Sequence, residues 1–313
     1  MNNIIVVGVL DVPVSSNLWM ASAFQRAGFN VIPVNYRTIV AKYSRTFFKE
    51  LLIDTVKKYK PELTLFCKCN SVEPLIFEEC NLYSKTWLFY MDLFEQIQTH
   101  PELLSSAKNC TISSATSEIT VQFFKQYGVK NCIHMFEGTD PHIHKIVEPE
   151  DRYLATISFI GTKTEERDKY KILLEDNFGK DNVKFYGYGY SDKIISEDWA
   201  KICSSSRFML SMNTYNNYPT YFSGRLFELL GSGACTFHLD NTGTLEQYFQ
   251  HGVDLFYFKD KEDLIKQIKS VTEEQEIAVR ASGYKKVQEN HTWDIRVKEM
   301  MKIVKDSSFL GWT

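Results

Sequence analysis

Long apolar runs are missing from this chain of 313 residues. The longest, such as IIVVGVL at 4–10, fall far short of the roughly 20 residues a bilayer span needs. A basic-then-apolar secretory leader is missing as well, so the expectation is a cytoplasmic protein with no integral membrane association. Neither sign of charge dominates: 39 acids against 36 bases leave a net charge of -3, and no global basic field points to a nucleic-acid or anionic-membrane partner. Cysteine is sparse, seven residues at 67, 69, 80, 110, 132, 203 and 235, mostly inside apolar stretches, which suits reduced core thiols. Cys67-Lys-Cys69 is too tight for a C-x2-C zinc pattern and no H-x3-H cluster exists, so no metal site is expected.

The nucleotide and hydrolase fingerprints are absent too. The first strand-to-helix loop, GVLDVPVSSN (8–17), lacks G-x-G-x-x-G, and no G-x4-G-K-[ST] loop, G-x-S-x-G elbow or D-x-D metal pair occurs. These absences weaken NAD, P-loop and α/β-hydrolase readings.

What is present is the composition of an ordinary globular chain, 44% hydrophobic and 24% charged, long enough for two domains with separate cores. Apolar strand-like runs at 3–10, 30–36, 62–68, 86–92, 109–115 and 131–137 alternate with amphipathic stretches at 17–27, 45–59, 73–82, 94–106 and 117–126. The face of 45–59 carries Phe47, Phe48, Leu51, Leu52 and Val56. EGTDPHIHKIVEPEDR (137–152) breaks the alternation and reads as a linker. A second series follows, with strands at 153–160, 182–189, 207–213, 234–240 and 254–258 and a last helix at 293–305. Strands alternating with helices predict an α/β fold of two doubly wound, Rossmann-like parallel-sheet domains, 1–145 and 146–292, with the C-terminal helix of 293–313 packing back on the first.

Two stretches of the second series carry candidate chemistry. After strand 153–160 come Gly161, Thr162 and Lys163, with Arg167 on the first turn of the next helix. A small loop, a helix N-terminus and two cations at a strand end make an anion site; alternatively Lys163 and Arg167 pair with Glu165, Glu166 and Asp168 on a solvated face. The second stretch is SGRLFELLGSGACTF, 223–237. Ser223 suits an N-cap, Arg225 and Glu228 share a helix face at i and i+3, and Leu226, Phe227, Leu229 and Leu230 bury the others. Arg225 can meet an anion and Glu228 two ribose hydroxyls, or the two form an intrahelical pair worth about 0.3 kcal/mol.

FIGT with a following Arg167, S-G-R-L-F-E-L-L-G-S-G-A (223–234), LEQYFQHGVDLFYF (245–258) and ENHTWDIR (289–296), together with KPELTLF (60–66) and a strand ending in Asp92, carry a resemblance. The chain resembles the CgeB-like glycosyltransferases of the GT-B fold, in which two such domains face a cleft. That resemblance implies transfer of a hexose or pentose from a nucleotide-sugar, UDP-linked by default, used as a co-substrate without any resident cofactor. Glu228 matches the ribose-binding glutamate, Ser223, Gly224 and Arg225 lie where the donor diphosphate is placed, and Gly161, Thr162, Lys163 and Arg167 complete a phosphate clamp. Where wider relatives carry a second glutamate, this chain has Thr220, so sugar contacts pass to Thr220, Tyr221 or the Asn213, Asn216 and Asn217 cluster.

Catalytic candidates are Arg225, which meets the leaving diphosphate without a metal, and Asp92 or Asp11 of the first domain as the base. Asp92 has a rival reading as the N-cap of helix 94–106. The acceptor stays open among glycan, protein, small molecule and modified DNA base, the last through a basic zone of Arg37, Lys42, Arg45, Lys49, Lys57, Lys58 and Lys60. Two further readings stand beside transfer: a nucleotide-sugar epimerase or hydrolase, with only Asp11, Asp92 and Glu137 as acids, and a non-catalytic nucleotide-sugar-binding protein.

Overall fold

The structure, a computed structural model, describes residues 2–191 and 196–306. Its elements run β1 Asn3–Gly8, α1 Ser16–Arg26, β2 Asn30–Asn35, α2 Tyr36–Lys42, α3 Arg45–Tyr59, β3 Leu63–Cys67, α4 Pro74–Asn81, β4 Lys85–Tyr90, α5 Glu102–Asn109, β5 Ile112–Ala115, α6 Glu118–Gln126 and β6 Cys132–His134. They continue with β7 Ala155–Ile160, α7 Glu165–Phe178, β8 Val183–Tyr186, α8 Ser196–Ser205, β9 Ser206–Ser211, α9 Arg225–Gly231, β10 Thr236–Leu239, β11 Phe256–Phe258, α10 Lys261–Ser270, α11 Glu273–Asn290 and α12 Trp293–Lys305.

Two compact units result, one running to Glu137 and resuming at Trp293, the other Gly138–Thr292. The chain therefore changes unit at Glu137 and Gly138, at the start of the linker segment, and residues 138–152 belong to the second unit. Thr139 explains why: its N–H donates to His291 O at 2.9 Å, and it bridges to Thr292. The expected terminal helix is described as far as Lys305; residues 307–313 lie outside the described residues.

In the first unit six parallel strands lie in the order β2-β1-β3-β4-β5-β6. Continuous β-branched and aromatic runs such as NIIVVG fit a sheet covered on both faces. One face buries Phe48, Leu52, Phe77 and Phe124; on the other, Trp293 of α12 meets Phe89 edge to face at 5.9 Å. Arg26 of α1 grips Asp294 with both Nε and Nη2, at 2.8 and 2.7 Å. On α3 the buried stripe is Phe48, Leu52, Ile53 and Val56, whereas Phe47 and Leu51 face solvent. The apolar face expected there was drawn too wide.

The second unit repeats the plan with five parallel strands in the order β11-β10-β9-β7-β8. Numbered within each unit, both orders begin 2-1-3-4-5, so both reverse direction between the first and third strands. Ligands in open α/β sheets bind outside the strands' C-terminal ends at such a reversal. In the second unit that point lies between β7 and β9.

Candidate functional site

Arg167 sits at this switch point. Thr164 caps α7 by accepting the Arg167 N–H at 3.2 Å, which turns the Arg167 side chain back toward the sheet end. There it is only 3% exposed, and Nη1 donates to Thr162 O at 2.7 Å while Nη2 donates to Met212 O at 3.0 Å. Arg225, the first residue of α9, donates through Nη1 to the same Met212 carbonyl at 3.0 Å. Both guanidinium groups lie over the Phe159 ring, 5.2 and 5.7 Å from its centroid. Burial, then the nearby Arg225 charge, pull Arg167 down to about 10, so it remains a cation at neutral pH. Its buried Nε has no hydrogen-bond partner among the described residues. Two like charges held against one carbonyl, one of them desolvated, repel each other and favour a site for negative charge between them.

Lys163 and the start of α7, expected to complete a phosphate clamp, are arranged differently. Lys163 pairs with Asp168 at 3.0 Å, half exposed, as its solvated reading had it. The first turn of α7 carries Glu165, Glu166 and Asp168, so acids already occupy the positive end of that helix. The cations gathered at this strand end are the two guanidiniums of Arg167 and Arg225. Gly161 has a reason of its own: a Cβ there would meet the Phe159 ring at 2.8 Å and Arg225 Nη2 at 3.2 Å.

The loop from β9 to α9 is built by Asn213. Its Oδ1 accepts from Ser223 N at 3.0 Å and its Nδ2 donates to Tyr221 O at 3.0 Å, while Asn216 bonds both Asn213 N and Asn213 O. Asn217 accepts from Asn241. Asn213 and Asn216, expected to contact sugar, thus bond the loop itself, because a buried turn must satisfy its own backbone, whereas the exposed Asn217 meets Asn241 of a neighbouring loop. Ser223 is not a side-chain cap: α9 begins at Arg225, Gly224 holds the cap position in right-handed geometry, and Ser223 contributes its carbonyl to Leu226 N at 3.0 Å. Gly224 O accepts from Glu228 N at 3.0 Å, which sets Glu228 one turn beyond Arg225. At the far end Gly233, φ +71°, lets Ala234 N reach back to Leu229 O at 3.1 Å and feed the chain into β10.

Thr220 has φ +57°, an unusual conformation for a β-branched residue. Its N–H donates to Thr244 Oγ1 at 2.8 Å, and Thr244 is held by Thr242 in a turn organised by Asp240. The Asp240 carboxylate accepts from Thr242 N, Thr242 Oγ1, Gly243 N and Leu245 N at 2.8–3.0 Å. Burial alone raises its pKa, but these donors outweigh it and hold the carboxyl below its usual range. Thr220→Gly removes the strain, so we expect it to raise stability by about 1 kcal/mol in denaturant unfolding.

Beside Arg225 the buried His238 pairs Nδ1 with Ser211 Oγ at 2.9 Å, and burial pulls it down to about 4. Burial likewise takes His144 down to about 3. Both are neutral in the native state, so their cost appears only where the unfolded chain protonates. Stability is fully present above pH 6.5 and is lost as pH falls from there toward 4. A lower urea midpoint at pH 5 than at pH 7, with the slope unchanged, is the expected result.

In the first unit Asp11 follows β1 and accepts from Thr38 Oγ1, which with Asn35 holds its carboxyl below the usual range. Asp92 follows β4 and pairs with Lys68 at 2.7 Å. It is not a helix cap, because residues 94–98 form a 3-10 turn capped at Leu93 and α5 begins only at Glu102. Lys68 and Cys69, φ +61° and +52°, are consecutive left-handed residues beside it. Members of the basic zone have local partners: Lys49 pairs with Glu79, and Lys57 lies over Tyr83. Glu137 gives its carbonyl to Arg296 Nε at 3.4 Å.

Two parallel-sheet α/β units with these strand orders match the GT-B fold of glycosyltransferases. Residues 167–302, which begin at Arg167 itself, match the family model described as glycosyl transferase-like. No curated protein matches the sequence. Among solved structures, sucrose-phosphate synthase from Thermosynechococcus elongatus is 13% identical, covering 97% of this chain and 98% of that one at a TM-score of 0.67. A DNA-modifying β-glucosyltransferase, studied with and without its substrate uridine diphosphoglucose, is 13% identical over 96% and 99% at 0.60. A putative UDP-N-acetylglucosamine 2-epimerase from Listeria monocytogenes is 8% identical over 100% and 98% at 0.58. Identities this low establish a shared fold. No described helix is long and apolar enough to cross a membrane.

Proposed function

We propose that the protein is a glycosyltransferase that takes a sugar from a nucleotide-diphosphate donor, UDP-linked by default, bound on its second unit. The observation that carries this reading is the convergence of Arg167 and Arg225 on Met212 O, with a buried, unpartnered Arg167 Nε. A diphosphate supplies negative charge to two adjacent guanidiniums and an acceptor oxygen to the buried Arg167 Nε. The family match over 167–302 supports the same assignment.

In this reading Gly161 and Thr162 let the diphosphate approach the backbone, and Arg167 fixes it. Arg225 meets the charge that grows on the leaving diphosphate oxygen as its bond to the anomeric carbon breaks, so transfer needs no metal. Glu228 accepts from the ribose hydroxyls, while Thr220, Tyr221, Ser223 and Gly224 shape the wall of the donor site. An acceptor hydroxyl forms the new bond and gives up its proton, with Asp92 or Asp11 of the first unit as the base if the anomeric configuration inverts. Lys163, tied to Asp168, has a secondary part in holding the phosphates.

A thermal-shift panel of nucleotides and nucleotide-sugars with EDTA tests the reading. A UDP-dependent rise in melting temperature that disappears in Glu228→Ala is expected. No rise with any nucleotide-sugar removes the donor site. The same panel, followed by product analysis without acceptor, separates transfer from the two rival chemistries: free sugar marks a hydrolase, and an altered nucleotide-sugar an epimerase.

A further inference from the structure

Tyr188 is the most exposed of the large hydrophobic side chains among the described residues, at 82%. Single exposed aromatics are common on protein surfaces and carry no message by themselves. This one differs in how firmly its backbone is held. It stands between Gly187 and Gly189, φ +105° and +86°, in a turn whose glycines are required twice over. A Cβ on Gly187 would meet Gly161 O at 2.7 Å, and one on Gly189 would meet Lys163 Cβ at 2.7 Å. Tyr188 O accepts from Lys163 N at 2.8 Å and Tyr186 O from Gly161 N at 2.9 Å, while Tyr190 N and Ser191 N both return to Gly187 O at 2.9 and 3.0 Å. Below the turn Tyr190 packs into Phe185 and Phe159. The turn is thus clamped to the 161–163 loop whose Thr162 carbonyl holds Arg167.

A turn held this way, with Tyr190 half-buried and Tyr188 turned out to solvent beside the proposed anion site, offers a flat aromatic face to a ligand. We propose that Tyr188 is the stacking platform for the nucleobase of the donor, so that the base lies on Tyr188 while its diphosphate meets Arg167 and Arg225. The proposal rests on the donor-site reading above. Stacking of a base on an aromatic ring uses π-faces that every base has, and it tolerates differences in base identity. It is strong enough to read out, because removing such a ring typically weakens binding about tenfold or more.

The test is calorimetric titration of the full chain with UDP and, separately, with inorganic pyrophosphate. Tyr188→Ala is expected to weaken UDP about tenfold and leave pyrophosphate unchanged, and Tyr188→Phe is expected to bind both as the wild type does. Equal UDP affinity in wild type and Tyr188→Ala overturns the proposal while the donor site stands. Equal losses for UDP and pyrophosphate in Tyr188→Ala also overturn it, since the substitution then acts on the anion loop. Failure of the wild type to bind UDP overturns both this proposal and the reading it rests on. A Tyr188→Trp variant adds an independent readout: its emission should be quenched by UDP and not by pyrophosphate.

Discussion

Replacing Arg225 with alanine should lower turnover of a nucleotide-sugar about 100- to 1,000-fold while weakening donor binding far less. The size follows from the role: removing one preorganised donor aimed at a developing oxyanion costs that much in other enzymes. The split follows from timing, because charge on the leaving diphosphate is larger in the transition state than in the bound donor. Arg167 shares the Met212 carbonyl and stays in place in the variant, so the ground-state diphosphate keeps its buried cation. Arg225→Lys restores the charge without the forked geometry and should recover only part of the rate. Steady-state rates beside donor dissociation constants check the split, and an equal loss in both would assign Arg225 to uniform binding.

The second large effect concerns stability. In α11, Gly283 faces Asp254 O so closely that an added Cβ would lie 2.3 Å from it and 3.0 Å from Leu230 Cδ2 of α9. Backbone on one side and a buried leucine on the other leave nowhere to move. Asp254 is itself fixed, taking Lys286 Nζ at 2.6 Å and Ser282 Oγ at 3.1 Å. Gly283→Ala should therefore destabilise the second unit by about 3 kcal/mol, the upper range for overpacking, or a melting shift of roughly 6–12 °C for a unit of this size. Gly28→Ala is the control: its φ of +88° is unfavourable for alanine, but nothing lies within 4 Å of the added carbon. It should cost about 1 kcal/mol, the backbone penalty alone. Equal losses in the two variants would mean that the α9–α11 contact yields easily.

Much of this architecture was legible in the sequence. Alternating strands and helices, a helix carrying Arg225 and Glu228 on one face, and the turn at Gly233 all follow from local periodicity and glycine chemistry. What escaped the sequence was held by backbone groups or by distant partners. Met212 O, which gathers both arginines, has no side-chain signature, and nothing in 213–217 shows that Asn213 and Asn216 bond the loop rather than a ligand. Ser223 was placed as a cap because serine suits that position, but Asn213 takes its N–H and moves the helix start by one residue. His238 and Asp240 were missed because their partners, Ser211 and the 242–245 turn, come from other parts of the chain or from loop geometry. Thr220 stands where wider relatives carry a glutamate, and its left-handed backbone, which no sequence pattern announces, makes the position a tight turn.

The central claim, a diphosphate site at the β7 and β9 switch point with Glu228 on the ribose, is tested most directly by calorimetric titration of UDP in EDTA. The wild type should bind with one-to-one stoichiometry, and Glu228→Ala should bind at least tenfold more weakly with its fold intact by circular dichroism. Undiminished binding in Glu228→Ala, or no binding of UDP by the wild type, would contradict the account.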